Sequence, residues 1–310
     1  MRESILNVLQ RGELILSDGA MGTMLQAHGL SAGVVPELWN AEHPEVIREI
    51  HRAYLEVGAQ IATANTFGGN RLRMAKAGLA ERSVELSRLG ITLAREVVGD
   101  EAWVAGSVGP IGQLLEPYGP LTVAAAEEAF AEQVVALAEA GADLILLETH
   151  YDAEEAACAI RMAKAHTSLP VFCTFAFDAR GRTMMGLRPA EAAARIQEAG
   201  GNVVGANCGA GPAAILAALQ GMQGATNLPL MAQANAGVPA WGRARPFGTS
   251  PLCKWASRRR PLSPWGRASS AGVVGRGLST SPQLRPCCVG EIIRRSCSWA
   301  PNWLLTAEPR

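Results

Sequence analysis

The sequence predicts an α/β chain folded as a (β/α)8 TIM-type barrel whose eighth strand is lost in an aberrant C-terminal segment. Three observations lead there. Over residues 1–239, short apolar runs alternate with longer amphipathic stretches, the pattern of successive βα units on a parallel sheet. Each apolar run passes directly into a polar or glycine-rich segment, and in a parallel barrel all such segments fall at one mouth. The alternation then stops, and residues 240–310 show no helix or strand period of useful length.

Seven runs read as strands: Leu14–Ser17, Ile61–Asn65, Trp103–Gly106, Leu144–Glu148, Val171–Phe175, Val203–Asn207 and Leu230–Gln233. Helical spacing is clearest over Pro44–Val57, Ser83–Val98, Ala124–Ala140, Ala153–Ala165 and Pro189–Ala199, with charge on the face opposite the apolar stripe. Glycines at 141 and 200 follow two of these stretches, where a left-handed residue ends a helix without steric cost. The segments leaving the strands are SDGAMGT, ANTFGGN, GSVGP, ETHYD, TFAFD, NCGAG and QANAG. An open doubly wound sheet is the rival, but no GxGxxG turn follows the first strand. With 310 residues and 48% hydrophobic content, one large core is within reach.

The formal charge of zero hides two unlike pieces. Residues 1–239 carry 16 Lys+Arg against 26 Asp+Glu, while residues 240–310 carry 12 bases against only Glu291 and Glu308. That basic segment also holds five of the seven tryptophans, four of the seven cysteines and eight of the eighteen prolines. The division predicts a barrel domain over 1–239 and, over 240–310, a basic Arg-, Trp-, Pro- and Cys-rich tail without ordered elements. The opening MRESILNVLQRGELIL has no uninterrupted apolar run, and no stretch approaches the ~20 apolar residues of a membrane helix. A cytoplasmic location is therefore expected, with no membrane partner, and the cysteines are expected as thiols or metal ligands, not disulfides.

The phrases LSDGAMGTMLQAHGL, PEVIREIHRAYLEVGAQIATANTFGGNR, AGSVGPIGQLLEPYGPLT, EAGADLILLETHYDAEEA, VVGANCGAGP and MAQANAGVP carry a family likeness. In order and at barrel spacing, from residue 10 to about 239, the chain resembles the homocysteine S-methyltransferase family. The likeness is nearest to the homocysteine-binding barrel of cobalamin-dependent methionine synthase and more distant to betaine–homocysteine methyltransferases. It implies methyl transfer to the thiol of homocysteine, giving methionine. A thiol of pKa about 8.5 is mostly protonated at neutral pH, and zinc with three protein ligands and one open position overcomes this by binding the sulfur as thiolate.

By the resemblance, the zinc ligands are one cysteine after the sixth strand, matching Cys208 in ANCGAG, and an adjacent Cys-Cys pair after the eighth. Asp18 and Gly19, Thr66 and Phe67, and Glu148 would hold the amino and carboxylate ends of homocysteine, with Asp18 and Glu148 the catalytic-site acids. Asn65, Asn207 and Asn235 would line the mouth. The methyl donor implied is methylcobalamin or a methyl-corrinoid protein; because the barrel phrases contain no cobalamin-binding domain, the corrinoid would sit on a separate protein. Betaine or S-methylmethionine is the alternative donor. Each residue also has a plainer reading: Asp18 before glycine as turn chemistry, a lone Cys208 as a small buried hydrophobe. Glu148, an acid ending an apolar strand, is harder to dismiss, since a buried carboxylate needs a partner. Cys158 and Cys173 fall in helix and strand patterns and are expected in the core.

Where the Cys-Cys turn should follow, the chain reads AWGRARPFGTSPLCKWASRRRPLSPWGRASSAGVVGRG. Richness in Arg, Ser, Pro, Trp and Cys is what a GC-rich gene yields out of frame. Ser269–Gly277 can be encoded TCG TCG GCG GGT GTT GTG GGA CGG GGC; from the third base the same string reads VGGCCGTG, which restores the expected turn. The reading frame is thus expected to shift near residues 239–242, costing the barrel a strand, leaving sheet edges open and removing two of three zinc ligands. Cys287 and Cys288 in RPCCVG are a weak substitute pair, since they follow no apolar strand. The competing reading from another class makes the tail a nucleic-acid-binding arm; its bases share no helical face, which argues against nucleic acid as a partner. An inactive frameshift product is the remaining alternative.

Overall fold

The computed structural model describes residues 3–235 and 272–275. The expectations for Asn235 and below fall inside that range, whereas Cys253, Cys287, Cys288, Cys297 and most of the 240–310 tail lie outside the described residues.

The chain opens with α1 (Ile5–Gln10), then β1 (Ile15–Ser17), α2 (Met21–Ala27), the short turn α3 (Trp39–Glu42), α4 (Pro44–Glu56) and β2 (Ile61–Thr63). The short helix α5 (Arg71–Met74), α6 (Ser83–Val98) and β3 (Trp103–Val108) follow, then α7 (Val123–Glu139), β4 (Leu144–His150), α8 (Ala153–His166) and β5 (Val171–Phe175). The series ends with α9 (Pro189–Ala199), β6 (Val203–Cys208), α10 (Pro212–Met222), β7 (Leu230–Ala234) and β8 (Gly272–Gly275).

Strands β1 to β7 pair in sequence order and all run parallel, so the seven predicted strands are the seven parallel staves of a TIM-type barrel. An eighth parallel strand is absent among the described residues. Its place is taken by β8, which the sequence pattern missed and which runs antiparallel to both β7 and β1, with Val273 opposite Ala232 and Leu16. The two edges expected to stay open are thereby covered. Unpaired edge N–H and C=O groups recruit any extended segment that reaches them, and GVVG is short enough to carry no period of its own.

The strands are apolar on both faces because both faces are covered. Inside the barrel Ile15, Ile61, Trp103, Leu144, Leu146, Phe172, Val203 and Met231 pack with Ile5, Val8 and Leu9 of α1. These lie toward the strand starts, so α1 stoppers the barrel end opposite the polar mouth. Outside it, α6 to α10 cover the strands through a second cluster that includes Ile91, Phe130, Val134, Leu137, Ile160, Ile196 and Leu219. Cys158 and Cys173 are buried in that layer, as expected. The helix boundaries follow local chemistry: Thr122 caps α7 by accepting the Ala125 N–H, Asp152 caps α8 through Glu154 N–H, and Gly200 ends α9 at φ 88°, where a residue bearing Cβ is strained. No helix among the described residues is long and apolar enough to cross a membrane.

Candidate active site

At the C-terminal mouth a cavity of about 110 Å³ is lined by residues from six strand ends, among them Gly19, Thr63, Asn65, Phe67, Ser107, Glu148, Asn207, Cys208, Gln233 and Asn235. Of the residues singled out in the sequence, seven line it. Asp18 and Thr66 stand just behind the wall.

Asp18 leaves β1 fully enclosed. One carboxylate oxygen accepts Thr63 N–H at 2.6 Å; the other accepts Thr63 Oγ1–H at 2.6 Å and Ser17 Oγ–H at 3.2 Å. Burial raises its pKa to about 7 against these hydrogen bonds, and the neighbouring Glu148 adds to the rise. Glu148 sits where the β4–β5 register shifts between Leu147 and His150, an irregularity of the kind that re-aims a side chain. Ser107 Oγ donates to its Oε1, and burial raises its pKa. One carboxylate, Glu148, therefore faces a small cavity whose lining contains no Lys or Arg, and a second, Asp18, lies just behind its wall. Such an arrangement favours a cationic ligand, which would restore both acids to their charged forms.

Across the cavity, Thr149 and Cys208 both take left-handed backbone, φ 62° and 56°. For a β-branched threonine this is a costly conformation that surrounding contacts must enforce. Asn207 enforces it: its Oδ1 accepts Thr149 N–H and Thr174 Oγ1–H, each at 2.9 Å, and its Nδ2 donates to Thr149 Oγ1 at 2.7 Å. Cys208 Sγ lies 3.5 Å from Asn207 Nδ2 and 3.8 Å from Thr149 Oγ1. Burial raises the thiol's pKa, the Thr149 contact lowers it and Glu148 raises it further.

The wall between these groups is held from behind by residues that sequence reasoning passed over. Thr66 Oγ1 donates to Ser107 O at 2.8 Å and so ties β2 to β3 instead of opening onto the cavity. Gln133 Nε2 donates to Thr66 O at 2.9 Å. Asn65 spends its amide on Pro36 O and Asn40 Oδ1. Glu37, 2% exposed, accepts the Gly68 N–H, and Glu155 accepts the Ile111 N–H at 2.7 Å. Between them Arg73 lies 4.9 Å from the centre of the Phe67 ring and donates to Pro110 O at 3.0 Å, clasping the loops after β2 and β3. Gly109 leaves room for that ring, since a Cβ there would stand 2.5 Å from Phe67. Ser107 and Gln233 sat within the segments leaving the strands and Thr63 within a predicted strand, so their positions were visible and their roles were not. Glu37 and Asn40 lie in short helical turns whose sequence has no periodic pattern and gave no signal.

A metal needs several donors around one point. Cys208 is the one thiol that the described residues bring to the mouth, and among them no group of three His, Cys, Asp or Glu side chains is placed to hold a metal ion. One soft donor does not complete the three-ligand set zinc requires.

The family description "Homocysteine S-methyltransferase" matches residues 15–283. Methionine synthase of Mycobacterium tuberculosis is 31% identical over 255 residues, covering 77% of this chain and 21% of that protein. Betaine–homocysteine S-methyltransferase 1 of Danio rerio is 30% identical over 211 residues, 67% of this chain and 52% of that protein. The chain thus spans about a fifth to a half of these relatives. The metallated form of the homocysteine methyltransferase MmuM of Escherichia coli superposes with TM-score 0.65 at 28% identity, over 74% of this chain and 86% of that one. With the family match extending over most of its length, the chain belongs to the homocysteine S-methyltransferase family.

Proposed function

We propose that the mouth cavity binds homocysteine and that the barrel of residues 1–239 is built for methyl transfer to its thiol, giving methionine. The observation that carries this is a cavity lined by the Glu148 carboxylate and the Cys208 thiol, with the Asp18 carboxylate just behind its wall and no Lys or Arg in the lining. The α-ammonium of an amino acid supplies the missing charge. Glu148 has one oxygen engaged by Ser107 and the other available to that ammonium, while Asp18 adds its field from behind Thr63. Gly19 and the loop after β1 would receive the carboxylate. Phe67, fixed by Arg73, walls off water from the reacting sulfur, and the Asn207–Thr149 pair orients Cys208 beside it. A cavity of about 110 Å³ encloses a small metabolite and nothing much larger, so the methyl donor presents its methyl group from outside the mouth. In-line attack then depends on orientation.

Zinc belongs to the full activity proposed for the family. Cys208 would be one ligand, and the others would come from a Cys-Cys turn after an eighth parallel strand. The described residues do not make that set, so no step here is routed through a metal. The out-of-frame reading of residues 240–310 accounts for the loss: the chain as written is proposed to bind zinc poorly and to turn over slowly, and the frame-restored chain to be an ordinary zinc-dependent enzyme. The donor proposed is methylcobalamin or a methyl-corrinoid carried on a separate protein, given the likeness to methionine synthase. Betaine or S-methylmethionine is the second reading, the likeness to a betaine–homocysteine methyltransferase favouring betaine. A cytoplasmic location completes the proposal.

The test is calorimetric titration of the chain with homocysteine. Binding that is lost in Glu148→Gln supports the reading, and binding unaffected by that substitution overturns it. Offering each methyl donor to the frame-restored protein and measuring methionine then identifies the donor.

A further inference from the structure

Away from the mouth cavity, the loop after β5 carries Arg180, Arg182 and Arg188, and all three line one open cavity of about 250 Å³ with Pro189, Ala190 and Gly221. The surrounding sequence is acidic, with 26 Asp+Glu to 16 Lys+Arg over residues 1–239, so three arginines around one cavity stand against the local balance of charge. Elsewhere on the barrel exposed arginines are mostly paired, as Arg48 with Glu96 at 2.8 Å or Arg161 with Glu127 at 2.7 Å. Among the described residues, Arg180, Arg182 and Arg188 make no ion pair with a carboxylate within 4 Å.

The nearby acids are committed to the backbone. Asp178 accepts the N–H groups of Arg180 and Arg182 at 2.8 and 3.0 Å, and Glu191 accepts the Arg188 N–H at 2.9 Å. These bonds shape the loop without neutralising the guanidinium groups. Arg182 spends one donor on Gly186 O at 2.8 Å and keeps the rest of its planar fork. The cavity also borders the first turn of α9, an 11-residue helix that opens on Pro189. Three forks of fixed geometry around one void match the several oxygens of a phosphate better than a lone carboxylate does.

We propose that Arg180, Arg182 and Arg188 form a binding site for a phosphate group, free or esterified, separate from the mouth cavity. The site does not depend on the homocysteine reading. Because residues 240–310 hold twelve further bases, total phosphate uptake would be ambiguous and the readout must be local. Hydrogen exchange of the full chain is measured over residues 178–192 with inorganic phosphate and with chloride at equal ionic strength. Phosphate, and not chloride, is expected to slow exchange at the start of α9. The half-saturating phosphate concentration should rise at least tenfold in the double variant Arg182→Gln/Arg188→Gln, which alters only exposed side chains, and less in Arg180→Gln alone. Repeating the titration with a phosphate monoester separates the sources: tighter binding than inorganic phosphate assigns the site to an esterified ligand, equal binding to free phosphate. Absence of slowing, equal slowing by chloride, or slowing retained in the double variant would overturn the proposal.

Discussion

Around the mouth, the side built from β1–β4 and the side built from β6–β8 differ in how their polar groups are held. On the first side Asp18, Thr63, Thr66, Ser107 and Glu148 are joined by hydrogen bonds that cross between strands, and Glu37, Arg73, Gln133 and Glu155 brace the loops from outside. On the second, Cys208 is oriented by Asn207, but among the described residues Gln233 reaches only Ser17 Oγ, at 3.4 Å, and its Oε1 has no hydrogen-bond partner. There the sheet closes through four residues running the wrong way for a βα barrel. On the proposed function, the first side would grip the amino acid and the second would activate sulfur, with one thiol among the described residues for the purpose. Binding and activation thus come from different parts of the barrel, and damage to one need not abolish the other.

The largest effect expected from breaking the gripping side is at Glu148. Glu148→Gln removes the charge facing the ammonium, and loss of one partner of an enclosed charge pair costs 2–5 kcal/mol. Homocysteine affinity should fall about a hundredfold by calorimetry, with the folded state retained.

Asp18 should separate grip from stability. Its folded pKa, about 7, lies above the unfolded value of about 3.9. For a raised pKa the stabilising contribution is full below the unfolded value and is lost as pH rises through the folded one. In the ligand-free protein Asp18 therefore costs stability increasingly from pH 4 to 7. Asp18→Asn should raise the unfolding free energy at pH 8, by no more than about 4 kcal/mol, while weakening homocysteine binding at least tenfold. In the wild type, binding between pH 5 and 7 should release protons, seen as a calorimetric heat that depends on the buffer's ionisation enthalpy. A pH-independent, buffer-independent heat would remove Asp18 from the site.

Behind the wall, Glu37→Ala leaves the buried Gly68 N–H unpaired and should cost about 1–3 kcal/mol in urea unfolding, with weaker homocysteine binding because Phe67 loosens. Glu37→Gln keeps an acceptor and should cost under about 1 kcal/mol. On the closing seam Val273→Pro deletes a ladder donor of β8 and should cost about 1 kcal/mol, with faster amide exchange in β1 and β7 and none in β4 or β5.

The parallel part of the barrel was legible because its strands are buried on both faces and its helices on one, so period and apolarity agree. Helices over Ser83–Val98 and Pro189–Ala199 begin and end where expected. β3, β4 and β6 run one or two residues past the apolar run, because Ser107, Val108, His150 and Cys208 at the mouth still pair. β8 was not legible, since Gly272–Gly275 is chosen by two unpaired edges and not by its own pattern. Cys208 and Glu148 stood out by chemistry at a strand end. Glu37, Asn40 and Gln133 did not, because a bracing residue is recognised by what it touches, and contacts from 25 to 67 residues away leave no local trace.

Zinc content tests the central contrast most directly. The chain as written is equilibrated with excess zinc, desalted and analysed for metal per polypeptide. The account predicts well under one zinc per chain, alongside intact homocysteine binding. One zinc per chain, lost in Cys208→Ala and accompanied by methionine formation from a methyl donor, would contradict it.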